Sequence, residues 1–249
     1  MGIFFEGLFM ASPEINHAWR AQLALYTSFK RFFWMTYDNI GLMILANLMW
    51  VVLSLGVVTA PAATAGLATL AARIADGKET SVRDILRGFR EHFAPALKVG
   101  LFDLAVIVIL WVNVDFYSHL GGRAAIPGFL LAGVLIWGAA FWLLLHIHLY
   151  PLMVAGERSF RRLLRTSALL TLDNPSFTIG LALQSLMLLM LCILTGVGVI
   201  ALLTAMLSLL HATGRHELLR KYRDDLPKDV PETRTWRHLW RPWETSTRG

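Results

Sequence analysis

Few side chains in this sequence can do chemistry where they stand. Asp103 interrupts an apolar run, and placing a charge at the centre of a bilayer helix costs about 2.5–3.5 kcal/mol on insertion scales, so such a residue needs a partner, a water-filled path or a function. His146 and His148 sit in a second apolar run. Two residues turn a helix by about 200°, so these rings point to opposite faces and do not make a metal pair unless Pro151 unwinds the helix beside them. Asn47 and Gln184 add two amides to apolar stretches, each able to join helices by a hydrogen bond of about 0.6–2 kcal/mol. Two readings stand for Asp103, Asn47 and Gln184. In one they are structural, with Asp103 paired to an Arg, to Lys98 or to a His; in the other they line a path for a proton, a cation or a small solute.

Enzyme signatures are absent from the sequence. It holds no His-Glu-x-x-His, no Gly-x-Ser-x-Gly, no Gly-rich phosphate loop and no paired carboxylates in an apolar run. The sole cysteine, Cys192, excludes an intrachain disulfide and a cysteine-based metal site. No catalytic, cofactor-binding or metal site is therefore read from the residues.

A second group of residues is cationic. Over residues 82–93, Val82, Ile85, Leu86, Phe89 and Phe93 fall on one helical face, while Arg83, Asp84, Arg87, Arg90 and Glu91 fall on the other. Arg161, Arg162 and Arg165 form a comparable basic run. Helices of this type lie at a membrane surface, so these six arginines are the candidate contacts for lipid or for a partner protein.

The elements that must hold these residues follow from composition. Of 249 residues, 56% are hydrophobic and only 16% are charged, against about a quarter charged in soluble domains. Residues 39–72, 124–156 and 174–214 contain no Asp, Glu, Lys or Arg, and each stretch exceeds the roughly 20 residues that one crossing needs. Crossings are read at about 40–59, 60–76, 96–117, 127–153, 176–194 and 196–213. The second is short: residues 61–75 span about 22 Å against a hydrocarbon core of about 30 Å. With six crossings, every one of the 23 Lys and Arg except Arg123 falls on one side, which the positive-inside rule makes the cytoplasm. If residues 60–76 re-enter instead of crossing, the cations divide almost evenly. The expected fold is thus all-α and polytopic, with six transmembrane helices as three hairpins, each preceded by a cytoplasmic amphipathic segment. The first residues carry Glu6 and Glu14 without a cationic start and do not have the pattern of a cleavable signal.

Residues 1–213 read as one membrane domain, and 214–249 as a basic cytoplasmic tail with Trp236, Trp240 and Trp243. The tail is expected to rest on anionic lipid rather than on nucleic acid. Ser28, Phe29, Lys30 and Arg31 parallel Ser159, Phe160, Arg161 and Arg162, and the runs end at Asp38-Asn39 and Asp173-Asn174. Either asparagine can cap the helix that follows. The parallel is consistent with an internal repeat and equally with the general basic character of cytoplasmic connections. The small residues Ala62, Ala63, Ala65, Gly66 and Ala68 favour close helix packing in the second crossing.

From about residue 39 to 222 the sequence resembles the YesL-like family of small bacterial membrane proteins, which has no established biochemical activity. The resemblance rests on Asn47 and Trp50 followed by Thr59, Pro61 and their flanking alanines, on the Phe89–Phe93 block, and on the run from Arg165 to Asp173, Asn174 and Pro175. Gly56 stands where a proline is expected, and His92 where an asparagine is. The resemblance implies a multi-pass protein of the bacterial cytoplasmic membrane with an accessory role beside carbohydrate ABC transporters. The expected function is accordingly a non-catalytic membrane accessory protein, with ABC transporter subunits as partners. A small transporter or channel is the alternative. A solvent-reaching cavity lined by Asp103, Asn47 or Gln184 would favour the second.

Overall fold

The computed structural model describes residues 13–157, 159–196 and 198–222. Among the described residues the chain is helical, without strands. The helices are α1 (Pro13–Asp38), α2 (Ile40–Ser54), α3 (Ala60–Ala75), α4 (Arg83–Glu91), α5 (Phe93–Ser118), α6 (Ala125–Val154), α7 (Phe160–Asp173), α8 (Pro175–Thr195) and α9 (Thr204–Tyr222). A π-helical stretch, Val199–Leu203, leads into α9.

Four stretches are long and apolar enough to cross a membrane: Val57–Ala75, Phe93–Ser118, Ala125–Val154 and Pro175–Thr195. A fifth is formed if the pair Gln22–Asp38 and Ile40–Ser54, bent by 88°, counts as one broken span. The shortest crossing read from sequence, 60–76, is thus among the four. The stretches read as the first and sixth crossings do not meet the criterion alone, for different reasons. Helix α2 stops after 15 residues at Ser54, and α9 continues past the apolar run through Arg215, His216 and Glu217 to Tyr222. Residues 214–222, read as the start of the tail, therefore belong to a helix; residues 223–249, with the three tryptophans, lie outside the described residues.

Helix α3 is the centre of the fold because its side chains are small. It touches α2, α4, α5, α6 and α9, and Ala62, Ala63, Ala65, Gly66 and Ala68 are all buried. Alanine and glycine let backbones approach closely, which is how helices gain packing energy where lipid is as apolar as the protein. A Cβ on Gly66 would lie 2.7 Å from the Ile85 carbonyl oxygen, and one on Gly88 would lie 2.2 Å from Thr69 Oγ1. Helix α4 is thereby pressed onto α3 through two glycines. A Cβ on Gly100 would strike Pro61 Cγ at 2.2 Å, which sets the approach of α5 to the start of α3.

The connection from α2 into α3 is fixed by the threonine and proline seen in the sequence. Thr59 Oγ1 donates to the Leu53 carbonyl near the end of α2, occupying an acceptor that a helix end leaves open. Pro61 lies in the first turn of α3, where its missing N–H costs nothing. Trp50 Nε1 donates to Thr64 Oγ1 at 3.1 Å and ties α2 to α3 one turn further on.

Two expectations need correction. Asp84 was placed on the polar face of the 82–93 segment, but it is buried, accepting from the Ser81 backbone N–H at 2.9 Å and lying 3.3 Å from Arg73 Nε. It closes the first turn of α4 and pins that turn to α3. Asn39 and Asn174 do occupy the N-cap positions of α2 and α8, yet neither side chain caps the helix that follows. Each amide donates backwards instead, Asn39 to the Met35 carbonyl at 2.9 Å and Asn174 to the Leu170 carbonyl at 3.4 Å. Each of these carbonyls also accepts from the asparagine's own backbone N–H at 3.1 Å, so the side chain adds a second bond to an acceptor in the last turn of the preceding helix.

The runs around Arg31 and Arg161 part company in space. Arg161 and Arg162 are exposed on α7, whereas Arg31 is drawn inward, where Nη2 donates to the Ala75 carbonyl at the end of α3 at 2.7 Å. Its other amino group lies 3.3 Å from His216 Nδ1 and 3.9 Å from Glu217 Oε1 on α9. A cation at a helix C-terminus is where the helix dipole favours it.

Candidate functional site

The polar residues of the apolar helices are distributed over separate contacts, three of which involve a histidine. Asp103, nearly three turns into α5, places Oδ1 3.0 Å from His146 Nε2 on α6. His146 Nδ1 lies 3.0 Å from the Trp142 carbonyl. A carbonyl only accepts, so Nδ1 carries a hydrogen, and Nε2 faces the carboxylate at ion-pair distance. The pair is partly open, with 20% of the Asp103 side chain and 26% of the His146 side chain exposed. Trp142 stacks edge-on against His146 at 5.3 Å and meets Phe102 at 5.3 Å, while Phe102 meets Phe160 at 5.4 Å. Aromatic rings thus wall the pair.

His148 faces the other way, as a separation of about 200° requires. Its Nε2 is 3.0 Å from Thr178 Oγ1 on α8, and both residues are fully buried. The third contact was not foreseen from sequence: His211 Nε2 on α9 lies 3.0 Å from Ser185 Oγ on α8. Ser185 gives its only proton to the Leu181 carbonyl at 2.9 Å, so His211 donates to it. A histidine among apolar residues beside a serine one helix away was the available signal. No group of three or more metal-ligating side chains occurs among the described residues.

Asn47 has a more specific role. Its Nδ2 donates to the Ile200 carbonyl at 2.6 Å, and its Oδ1 accepts from the Ala205 backbone N–H at 2.8 Å. Those two backbone groups are five residues apart, Ile200 within the π-helical stretch and Ala205 just beyond it. The side-chain amide therefore completes a ladder that the π turn opens, and it does so from α2, more than 150 residues away. Gln184 makes a weaker link, with Nε2 3.5 Å from the Leu25 carbonyl on α1 and Oε1 buried without a partner among the described residues.

The candidate docking residues stand apart from these contacts. Arg83, Arg87, Arg90, Arg161, Arg162 and Arg165 are exposed. Arg87 Nη1 is 3.4 Å from Asp84 Oδ1, and Arg162 Nε is 3.7 Å from Glu157 Oε1. The arginine end of each pair is exposed and screened by solvent, so these side chains are available for other partners. A cleft of 550 Å³ lies between the starts of α5 and α7, lined by residues that include Glu91, Lys98, Glu157 and Phe160. A second cavity of 360 Å³ lies among the ends of α3 and α6 and the middle of α9. Asp103, Asn47 and Gln184 line neither.

Apolar helices of crossing length, joined by buried polar contacts and bordered by exposed arginines, are the features of a helical membrane protein. A family described as "Protein of unknown function, DUF624" matches residues 43–114 of the chain, from α2 to near the end of α5. This stretch holds Asn47, Thr59, Pro61, the central helix α3 and the arginines of α4. Neither the curated proteins nor the solved structures include a match to the chain.

Proposed function

We propose that the protein is a non-catalytic accessory protein of a bacterial cytoplasmic membrane, which associates with carbohydrate ABC transporter subunits through its exposed arginines. The observation that carries this reading is the division of labour among polar residues. Asn47, His148 and His211 are spent on contacts between helices, and the arginines of α4 and α7 point away from the fold. The family similarity, to a family of unknown function, leaves the activity open.

In this reading the chain crosses six times, with hairpins α2–α3, α5–α6 and α8–α9 preceded by the amphipathic helices α1, α4 and α7. The backward caps of Asn39 and Asn174 and the one-sided distribution of Lys and Arg support it. Both termini are then cytoplasmic. Single cysteines introduced at Glu79 and Ser159 in a Cys192→Ser background are expected to react with a membrane-impermeant thiol reagent only after permeabilisation, and one beside Arg123 without it. Labelling of the Glu79 position from outside would overturn this arrangement.

Association is tested by replacing Arg83, Arg87 and Arg90 with Ala. With each exposed cation contributing about 0.5 kcal/mol to a partner contact, recovery of a copurifying transporter subunit is expected to fall about tenfold. Membrane insertion and thermal stability should stay unchanged. Undiminished copurification would exclude α4 as the docking element.

A second reading, a small transporter, has one observation in its favour. Asp103 and His146 form a pair able to hold a proton inside an apolar helix hairpin, a feature common to proton-coupled carriers.

A further inference from the structure

We propose that the 360 Å³ cavity among α3, α6 and α9 binds a phosphate-bearing anion, with Arg215 as its principal contact. The volume lies within the range of small-molecule sites, about 300–1,000 Å³. Four alanines, Ala72, Ala75, Ala155 and Ala212, make up more than half of its apolar lining, and its polar groups are Asp76, Lys78, Arg215 and His216. Small walls leave room for a ligand instead of filling the space with side chains.

Arg215 is the first cation after 41 uncharged positions in the sequence, and it enters a place where other charges are already matched. Lys78 Nζ lies 2.7 Å from Asp76 Oδ2, and Arg31 lies 3.9 Å from Glu217 Oε1. The helix ends that face the cavity are matched as well. The carbonyls of Ala72, Ile74 and Arg73 accept from the N–H groups of Asp76, Gly77 and Lys78, and Ala75 accepts from Arg31. At the end of α6, Pro151, Met153 and Leu152 accept from Ala155, Gly156 and Glu157. Arg215 is thus not consumed in capping these turns.

Its Nε is buried without a hydrogen-bond partner among the described residues. Burial opposes the charge and lowers its pKa, with Asp76 acting the other way. A guanidinium holds its charge even so, and its planar fork matches the oxygens of phosphate. A dianionic or monoanionic phosphate in the cavity satisfies the orphaned donor and balances the charge that the surrounding acids leave unmatched. The same chemistry serves a soluble phosphate ester and a phospholipid headgroup.

The full-length protein in neutral detergent is titrated with inorganic phosphate and with glycerol 3-phosphate at constant ionic strength. It is also reconstituted into nanodiscs of phosphatidylcholine with and without phosphatidylglycerol, with thermal stabilisation read in both arms. A response to the soluble probes identifies a free phosphate compound as the ligand; a response to phosphatidylglycerol alone identifies a lipid headgroup. In Arg215→Gln the apparent affinity is expected to fall about tenfold, the scale of one charged hydrogen-bond set. Ala155→Phe, at an exposed position on the cavity wall, should close the site without touching its charges, and it decides the matter if Arg215→Gln does not fold. Absence of any response in the wild type, or an undiminished response in the deciding variant, overturns the proposal.

Discussion

Replacing Asn47 by Ala is expected to destabilise the protein by about 2–4 kcal/mol, more than any other single amide removed from it. The loss is larger than the usual interhelical hydrogen bond in a membrane, about 0.6 kcal/mol on average, because of what is left behind. Ordinary helix-joining amides are redundant with the backbone ladder: remove them and every N–H and C=O still has a partner. Here the Ile200 carbonyl and the Ala205 N–H are both bonded by the Asn47 side chain, which is itself fully buried. Each orphaned group costs about 1–3 kcal/mol. Asn47→Asp is a sharper test, since it keeps the acceptor for Ala205 but turns a lone pair or a charge towards the Ile200 carbonyl; it should be no better than Ala. Thermal unfolding in one detergent gives the stability. Amide exchange across residues 199–205, by mass spectrometry, should quicken in both variants before global unfolding. Stability within about 0.5 kcal/mol of wild type would mean that the π turn closes without Asn47.

The dependence on Asn47 also shows which parts of the architecture can be read from one sequence. Apolar run length and the placement of lysine and arginine locate the helices, because those features answer to the bilayer alone. The small face of α3 was readable for the same reason: Ala62, Ala65, Gly66 and Ala68 have no use on a lipid-facing helix, and they lie at the centre of the fold. Hydropathy does not rank burial, however. The apolar part of Val57–Ala75 is 56% buried and that of Phe93–Ser118 is 11% buried, although the second is the more hydrophobic. Lipid and protein interior are equally apolar, so sequence cannot tell one from the other. Pairings across long separations were also invisible. Nothing near Asn47 points to Ile200, and periodicity that sets Asp84 beside Arg83 and Arg87 cannot register Arg73 on the neighbouring helix. Ser81 three residues before Asp84 resembles a capping signature and was the one local hint that this carboxylate faces inward. Arg31 and Arg161 look alike in sequence and differ in burial because only α1 passes the open carbonyl at the end of α3.

Removing Asp103 is expected to have two separable results, according to what replaces it. Asp103→Asn keeps a side chain able to bond His146 Nε2, without a carboxylate to desolvate, and should leave stability unchanged within about 0.5 kcal/mol. Asp103→Leu leaves His146 Nε2 without its partner at 3.0 Å and should cost about 1–3 kcal/mol. His146→Leu alone strands the carboxylate and should cost at least as much, since a charge without a partner in an apolar hairpin is worse than a neutral ring. In the double variant Asp103→Leu, His146→Leu neither group is stranded, and the loss should be smaller than the sum of the single losses. That pattern, measured by thermal or denaturant unfolding, is the mark of a structural pair. The transporter reading predicts something different from the same proteins. A pair that carries a proton during turnover loses its function in Asp103→Asn, whose amide cannot take up and release a proton, even though the fold is intact. Proteoliposomes with an imposed pH gradient separate the two. Proton-coupled uptake by the wild type that vanishes in a fully stable Asp103→Asn would replace the accessory reading, whereas a protein that shows only the stability pattern has Asp103 and His146 as a seam between α5 and α6.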